Sequence, residues 1–101
     1  MSNNGLYANT EEMDAEGKQT VINADYFQKE IVSLKKNVDD LLAIWSGPSA
    51  TEFQNSYTYQ EENLQEFQKL LNELGENVSE AAGILETTEE DLANKATNLL
   101  N

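Results

Sequence analysis

The sequence predicts an all-α protein: an antiparallel two-helix hairpin that pairs with a second chain to form a four-helix bundle. Three observations carry this expectation. Apolar residues recur in alternating steps of three and four along two long stretches, the spacing of one helix face. The 101 residues include only five glycines and one proline, so the chain has few places to turn. The single proline, Pro48, follows Gly47 near mid-chain, where one stretch can fold back on the other.

Residues 1–9, MSNNGLYAN, are polar and aperiodic and read as a flexible N-terminal tail. Asn9 and Glu12 then stand at capping-box spacing. Glu11 and Glu12 place negative charge where the positive end of a helix dipole favours it. A first helix is expected over about 10–45. Its seam runs Met13, Gly17, Thr20, Ala24, Phe27, Ile31, Leu34, Val38, Leu41, Trp45, weak before Ala24 and strongly apolar after it. Gly17 reads as a soft spot in that weaker half.

The bend is expected at 45–48. Pro48 disfavours a helical conformation at Gly47 and suits the first position of a new helix. So short a connection makes the two helices antiparallel neighbours. A second helix is expected over about 49–84, completing a hairpin domain at 10–85. One of its rows is Ala50, Tyr57, Leu64, Leu71, Val78, Leu85, Leu92, Leu99; the other is Phe53, Gln60, Phe67, Leu74, Ala81. The second row fails after Ala81, near Gly83. Residues 86–101 therefore read as a narrower amphipathic C-terminal tail, which Thr88 and Asp91 could recap as a short helix.

A lone hairpin of this size buries little surface and leaves the outer side of its seam open to water. The dimer seam is expected at Phe27, Ile31, Leu34, Val38, Leu41, Phe53, Tyr57, Leu64, Phe67, Leu71, Leu74 and Val78. Two hairpins packed along it make a four-helix bundle, usually about a two-fold axis.

Charge and composition exclude several function classes. Nineteen acidic residues oppose six basic ones, all lysine, for a net charge of −13. Such a polyanion repels nucleic-acid backbones and anionic membrane surfaces. No apolar run approaches the ~18 residues that a bilayer span needs, so stable membrane insertion is not expected. Residues 1–20 lack the basic and apolar regions of a conventional secretory signal. With no cysteine and no histidine there is no disulfide, and a zinc or copper site would rest on carboxylates alone. No metal or cofactor is expected. The carboxylate pairs Glu11-Glu12, Asp39-Asp40, Glu61-Glu62 and Glu89-Glu90-Asp91 lie on solvated faces, and Ser46 and Ser49 have no base nearby in sequence. An enzyme is not expected.

Set between two heptad helices, Trp45-Ser46-Gly47 resembles the signature of the WXG family, the early-secreted-antigen-like small helical-hairpin substrates of type VII (ESX) secretion. Ala50 and Phe53 resemble the small-then-aromatic spacing after the family's bend, and the likeness covers about Met13 to Leu85. The resemblance implies a homodimer, or a heterodimer with a related WXG protein. It also implies synthesis in the cytoplasm and secretion through a membrane complex driven by a secretion ATPase. Some members act as virulence-associated effectors, and others help export a larger toxin. The family's tryptophan and glycine lie beside the partner subunit's C-terminal tail and form a composite export surface with it. Many members carry Tyr-x-x-x-Asp/Glu beyond helix two, whereas no tyrosine here follows Tyr59. A looser tail pattern is matched by Leu85, Glu89, Leu92 and Ala96, which reads equally as the acidic shoulder of any amphipathic helix. Tyr7/Glu11, Tyr26/Glu30 and Tyr57/Glu61 have the motif's spacing in other places and read as chance. The absence of arginine is compatible with an AT-rich, Gram-positive source. Two other readings remain: a helper for a larger toxin of the same system, and a coiled-coil adaptor that is not exported.

Overall fold

The structure is a computed structural model that describes residues 9–100, with Leu100 described by its backbone alone. Eight of the nine residues expected to form the N-terminal tail lie outside that range. Helix α1 spans Thr10–Leu42 and helix α2 spans Pro48–Leu100; among the described residues there is no strand. The two-helix hairpin expected from the sequence is thus the fold of the chain.

Each helix begins where local chemistry favours it. Asn9 caps α1: its Oδ1 accepts the backbone N–H of Glu12 at 3.0 Å, and its carbonyl accepts the N–H of Met13 at 3.0 Å. Glu11 and Glu12 occupy the first turn, against the helix dipole's positive end. At the other end, the N–H of Ala43 donates to the Asp39 carbonyl at 3.1 Å. The N–H of Ile44 reaches only three residues back, to Leu41, also at 3.1 Å. This tightened final turn ends α1 at Leu42. Trp45, expected as the last residue of the first helix, lies outside it because the chain is already leaving helical geometry for Gly47 and Pro48.

Helix α2 runs through Gly83 as one element of 53 residues, past the expected end near 84. A single interior glycine costs only ~1 kcal/mol against alanine, and no proline follows it. Thr88 does not recap a separate helix. Its hydroxyl donates to the Ile84 carbonyl at 2.9 Å, within the continuous ladder.

The chain forms two compact units, each combining part of α1 with part of α2. One comprises Ile22–Asn72. Here Ala24, Ile31 and Val38 are buried at intervals of seven on α1, with Ala50 buried on α2. Gln68 Nε2 donates to the Ala24 carbonyl at 3.3 Å, the Phe27 and Phe67 rings meet edge-on at 5.5 Å, and Lys35 Nζ lies 3.8 Å from Glu61 Oε2. The α2 numbers fall as the α1 numbers rise, so the helices are antiparallel.

The other unit comprises Met1–Val21 and Glu73–Asn101, described from residue 9 to residue 100. Its helices meet backbone to backbone. A Cβ on Gly17 would sit 2.8 Å from the Gly75 carbonyl oxygen and 2.8 Å from the Ser79 nitrogen. A Cβ on Gly75 would sit 2.7 Å from the Gly17 carbonyl oxygen and 2.9 Å from the Val21 nitrogen. Ser79 Oγ donates to the Asp14 carbonyl at 3.3 Å beside this crossing. The soft spot expected at Gly17 is therefore a point of close backbone approach. What glycine loses in helix propensity permits contact that any side chain would block.

Gly17→Ala should lower the melting temperature, because overpacking against backbone costs ~1–3 kcal/mol and outweighs a helix-propensity gain of up to ~1 kcal/mol. Gly83→Ala should raise it, since nothing lies within 4 Å of its added Cβ. Thermal unfolding followed by circular dichroism checks both signs.

Candidate functional site: the bend and the uncovered seam

At the bend, Gly47 has φ of +107°, a region that side-chain-bearing residues rarely occupy. Its carbonyl accepts the Thr51 N–H at 3.1 Å and the Thr51 hydroxyl at 3.3 Å, so Gly47 caps α2 with Pro48 as the first helical residue. This geometry leaves Trp45 half-buried, its ring 5.5 Å from that of Phe53 and tilted by 43°. Ser46 and Gly47 are exposed. A pocket of about 200 Å³ lies here, lined by Leu42, Trp45, Ser46, Gly47, Ala50, Thr51 and Gln54. Its lining residues combine aromatic, aliphatic and hydrogen-bonding side chains: Trp45, Leu42 and Ala50 with Ser46, Thr51 and Gln54.

The seam divides into two sides. Ile31 and Val38, expected at the surface between chains, are buried within this one. Tyr57, Leu64, Leu71 and Val78 are half-buried along α2, as are Phe27 and Phe53. Leu34, Leu41, Phe67 and Leu74 stand exposed, at 42%, 40%, 54% and 56%. In the Ile22–Asn72 unit, the Phe27–Phe67 ring contact shows that the outward rows of α1 and α2 share one face. That face is apolar and uncovered.

The tail residues Leu85, Glu89, Leu92 and Ala96 are all exposed on α2 and belong to the unit that does not contain the bend. Among the described residues, no helix is long and apolar enough to cross a membrane, and no three potential metal ligands cluster.

Comparison with known proteins gives these features a family. The profile of WXG100, described as proteins of 100 residues with WXG, matches residues 5–90. The chain belongs to the WXG100 family. Protein YukE of Bacillus subtilis (strain 168) is 26% identical over 85 residues, covering 84% of this chain and 88% of YukE. The crystal structure of EsxA from Geobacillus thermodenitrificans (form I) is similar with a TM-score of 0.76 at 26% identity, covering 87% of this chain and 98% of EsxA. This membership places the WXG100 chain among small helical substrates of type VII secretion.

One inner row of the WXG100 chain escaped the sequence reading: Glu61, Gln68, Gly75 and Ala82, again seven apart. Gly75 and Ala82 are buried, and Glu61 and Gln68 half-buried. Their small or polar side chains gave no hydropathic signal. The only clue was the seven-residue spacing of two small residues, Gly75 and Ala82. Tyr57 and Glu61 also prove to be partners: the phenol donates to Glu61 Oε2 at 2.8 Å. Loss of hydration, then this bond to a carboxylate and the nearby charges of Glu61 and Asp39, push the Tyr57 phenol up to about 12.

Two outcomes follow from this geometry. Gly47→Ala should destabilise the hairpin by ~1–3 kcal/mol through backbone strain, since no neighbour lies within 4 Å to clash with the methyl. Chemical denaturation measures the loss. The phenol of Tyr57 keeps its proton more firmly in the folded chain than at its ordinary value of 10.0. Its contribution to stability is therefore intact below pH 10 and lost as pH rises through about 12. Tyr57→Phe should show a shallower fall in stability across that alkaline window than the unsubstituted chain.

Proposed function

We infer that this chain is exported by a type VII (ESX) secretion system as a folded dimer, formed with itself or with a related WXG100 chain. The observation that carries this reading is the Trp45-Ser46-Gly47 bend. Gly47 turns the chain at φ +107°, and the Trp45 ring rests on Phe53 while lining a pocket open to a partner. Apolar residues on the seam supply a reason to pair: Leu34, Leu41, Phe67 and Leu74 face water in the single chain. In this reading Leu85, Glu89, Leu92 and Ala96 of the partner's tail complete the export surface, and the secretion ATPase of the membrane complex reads it. Export delivers the chain to the outside of the cell, where an effector role in virulence would be exercised. Lysine as the sole basic residue keeps a Gram-positive source within the same reading.

The lack of any tyrosine after Tyr59 favours a second reading, in which the chain helps a larger toxin of the same system that supplies the stronger signal. A gene for a large toxin beside this one supports the helper; its absence supports the substrate. Export itself is tested by fractionating cultures with and without an intact secretion ATPase. The chain should reach the medium only when the ATPase works. Appearance in neither medium supports an adaptor that stays in the cell and overturns the export reading. Trp45→Ala should reduce secretion sharply while leaving the dimer's mass unchanged; loss of both together makes the ring a core residue and not a signal.

A further inference from the structure

The bend pocket opens on the side of the hairpin that the seam does not use. Two contacts within the Ile22–Asn72 unit tell the sides apart. The Phe27–Phe67 ring contact joins the α1 row of Phe27, Leu34 and Leu41 to the α2 row of Phe53, Gln60 and Phe67. The Lys35–Glu61 pair joins two other rows, Lys35 and Leu42 on α1 with Gln54 and Glu61 on α2. Leu42 and Gln54 line the pocket, whereas Leu41 and Phe53, about 100° back around each helix, do not. Two hairpins packed along the seam therefore leave the pocket open.

Size and chemistry narrow what it holds. At about 200 Å³ it is smaller than the ~300–1,000 Å³ of sites for drug-sized ligands and close to the ~150 Å³ that encloses benzene, so it has room for one side chain. No charged residue lines it, although a quarter of the chain is charged. Charge gathers just beyond. Asp39 stands about one turn before Leu42, and Glu61 about two turns after Gln54. After desolvation, the charges of Glu61 and Asp39 hold up the Tyr57 phenol, so both carboxylates lie near it. Lys35 lies 3.8 Å from Glu61, but among the described residues Asp39 enters no ion pair. The rim is therefore negative. A second copy, at net charge −13 and with Glu86, Glu89, Glu90 and Asp91 against Lys95 alone in its tail, has the wrong sign to fill such a site.

We propose that the bend pocket is a docking site for a basic segment of a different protein, which inserts one leucine-sized apolar side chain beside Trp45 and sets a neighbouring lysine or arginine against Asp39. The apolar side chain gains burial against Leu42, Trp45 and Ala50, and the cation meets the carboxylate that has no partner within the chain. The site rests on the geometry of the bend and not on export.

Trp45 is the chain's only tryptophan, so its fluorescence reports occupancy directly. The full chain is titrated with acetyl-leucyl-lysine amide, acetyl-leucyl-glutamate amide and acetyl-glycyl-lysine amide. The first should shift the Trp45 emission saturably and, in roughly 0.05 M salt, bind about fivefold more tightly than the second, a gap that closes in about 0.5 M salt. The third should leave the emission unchanged. Gln54→Phe, which fills the pocket from an exposed position, should abolish the response, and Asp39→Lys should remove the preference for the cationic peptide; circular dichroism confirms helix in both variants. No shift with either leucyl peptide overturns the proposal, as does equal binding of the two at low salt, a response to the glycyl peptide, or a response that survives Gln54→Phe. An emission change driven by the chain's own concentration and lost in Gln54→Phe puts a second copy in the pocket and overturns it too. Any of these failures leaves secretion, and the export reading with it, to be judged on the culture fractions.

Discussion

A pair of helices has one line of contact, and every apolar side chain that turns away from that line meets water unless another chain covers it. This constraint governs the molecule. Among the described residues, five hydrophobic residues are buried, three of them alanines, and no large side chain is completely enclosed. Ile31 and Val38 lie on the line; Leu34, Leu41 and Phe67 lie one step around each helix and stay exposed. Hydrophobic burial is the main favourable contribution to folding, so a chain that leaves this much of its apolar surface uncovered holds part of its stability in reserve for association.

The contact line is maintained by different means in the two units. In the Ile22–Asn72 unit, side chains of ordinary size meet: Phe27 against Phe67, Lys35 near Glu61, and Gln68 against the Ala24 carbonyl. Around Gly17 and Gly75, side chains give way to direct backbone contact supported by Ser79. Small residues bring main chains together where bulky ones would hold them apart, and that close approach compensates for the weak seam before Ala24. Gly47 has another role, since its positive φ turns the chain without any close neighbour.

Much of this was legible in the sequence because its causes are local. Asn9 and Glu12 announced the first helix by their spacing, and Gly47-Pro48 announced the bend. Heptad periodicity identified the apolar rows but gave both equal weight, whereas a single neighbouring helix covers one row and part of its flank. That is why Ile31 and Leu34, three residues apart on the same seam, lie on opposite sides of the division between buried and exposed. The inner row of Glu61, Gln68, Gly75 and Ala82 was hidden because hydropathy does not register glycine or a hydrogen-bonded amide. The continuity of α2 past Gly83 was likewise not readable, because the cost of one glycine is small compared with the cooperative gain of extending a formed helix. At the bend the motif was plain in sequence. The tilted contact of Trp45 with Phe53 and the pocket beside it required coordinates.

Family membership and the open seam meet in one requirement: the fold is completed by a second chain. Sedimentation equilibrium at micromolar concentration, in salt high enough to screen contacts between charged surfaces, tests that requirement most directly. The account predicts a helical species of twice the mass of one chain. A species of single-chain mass with undiminished helicity would contradict it.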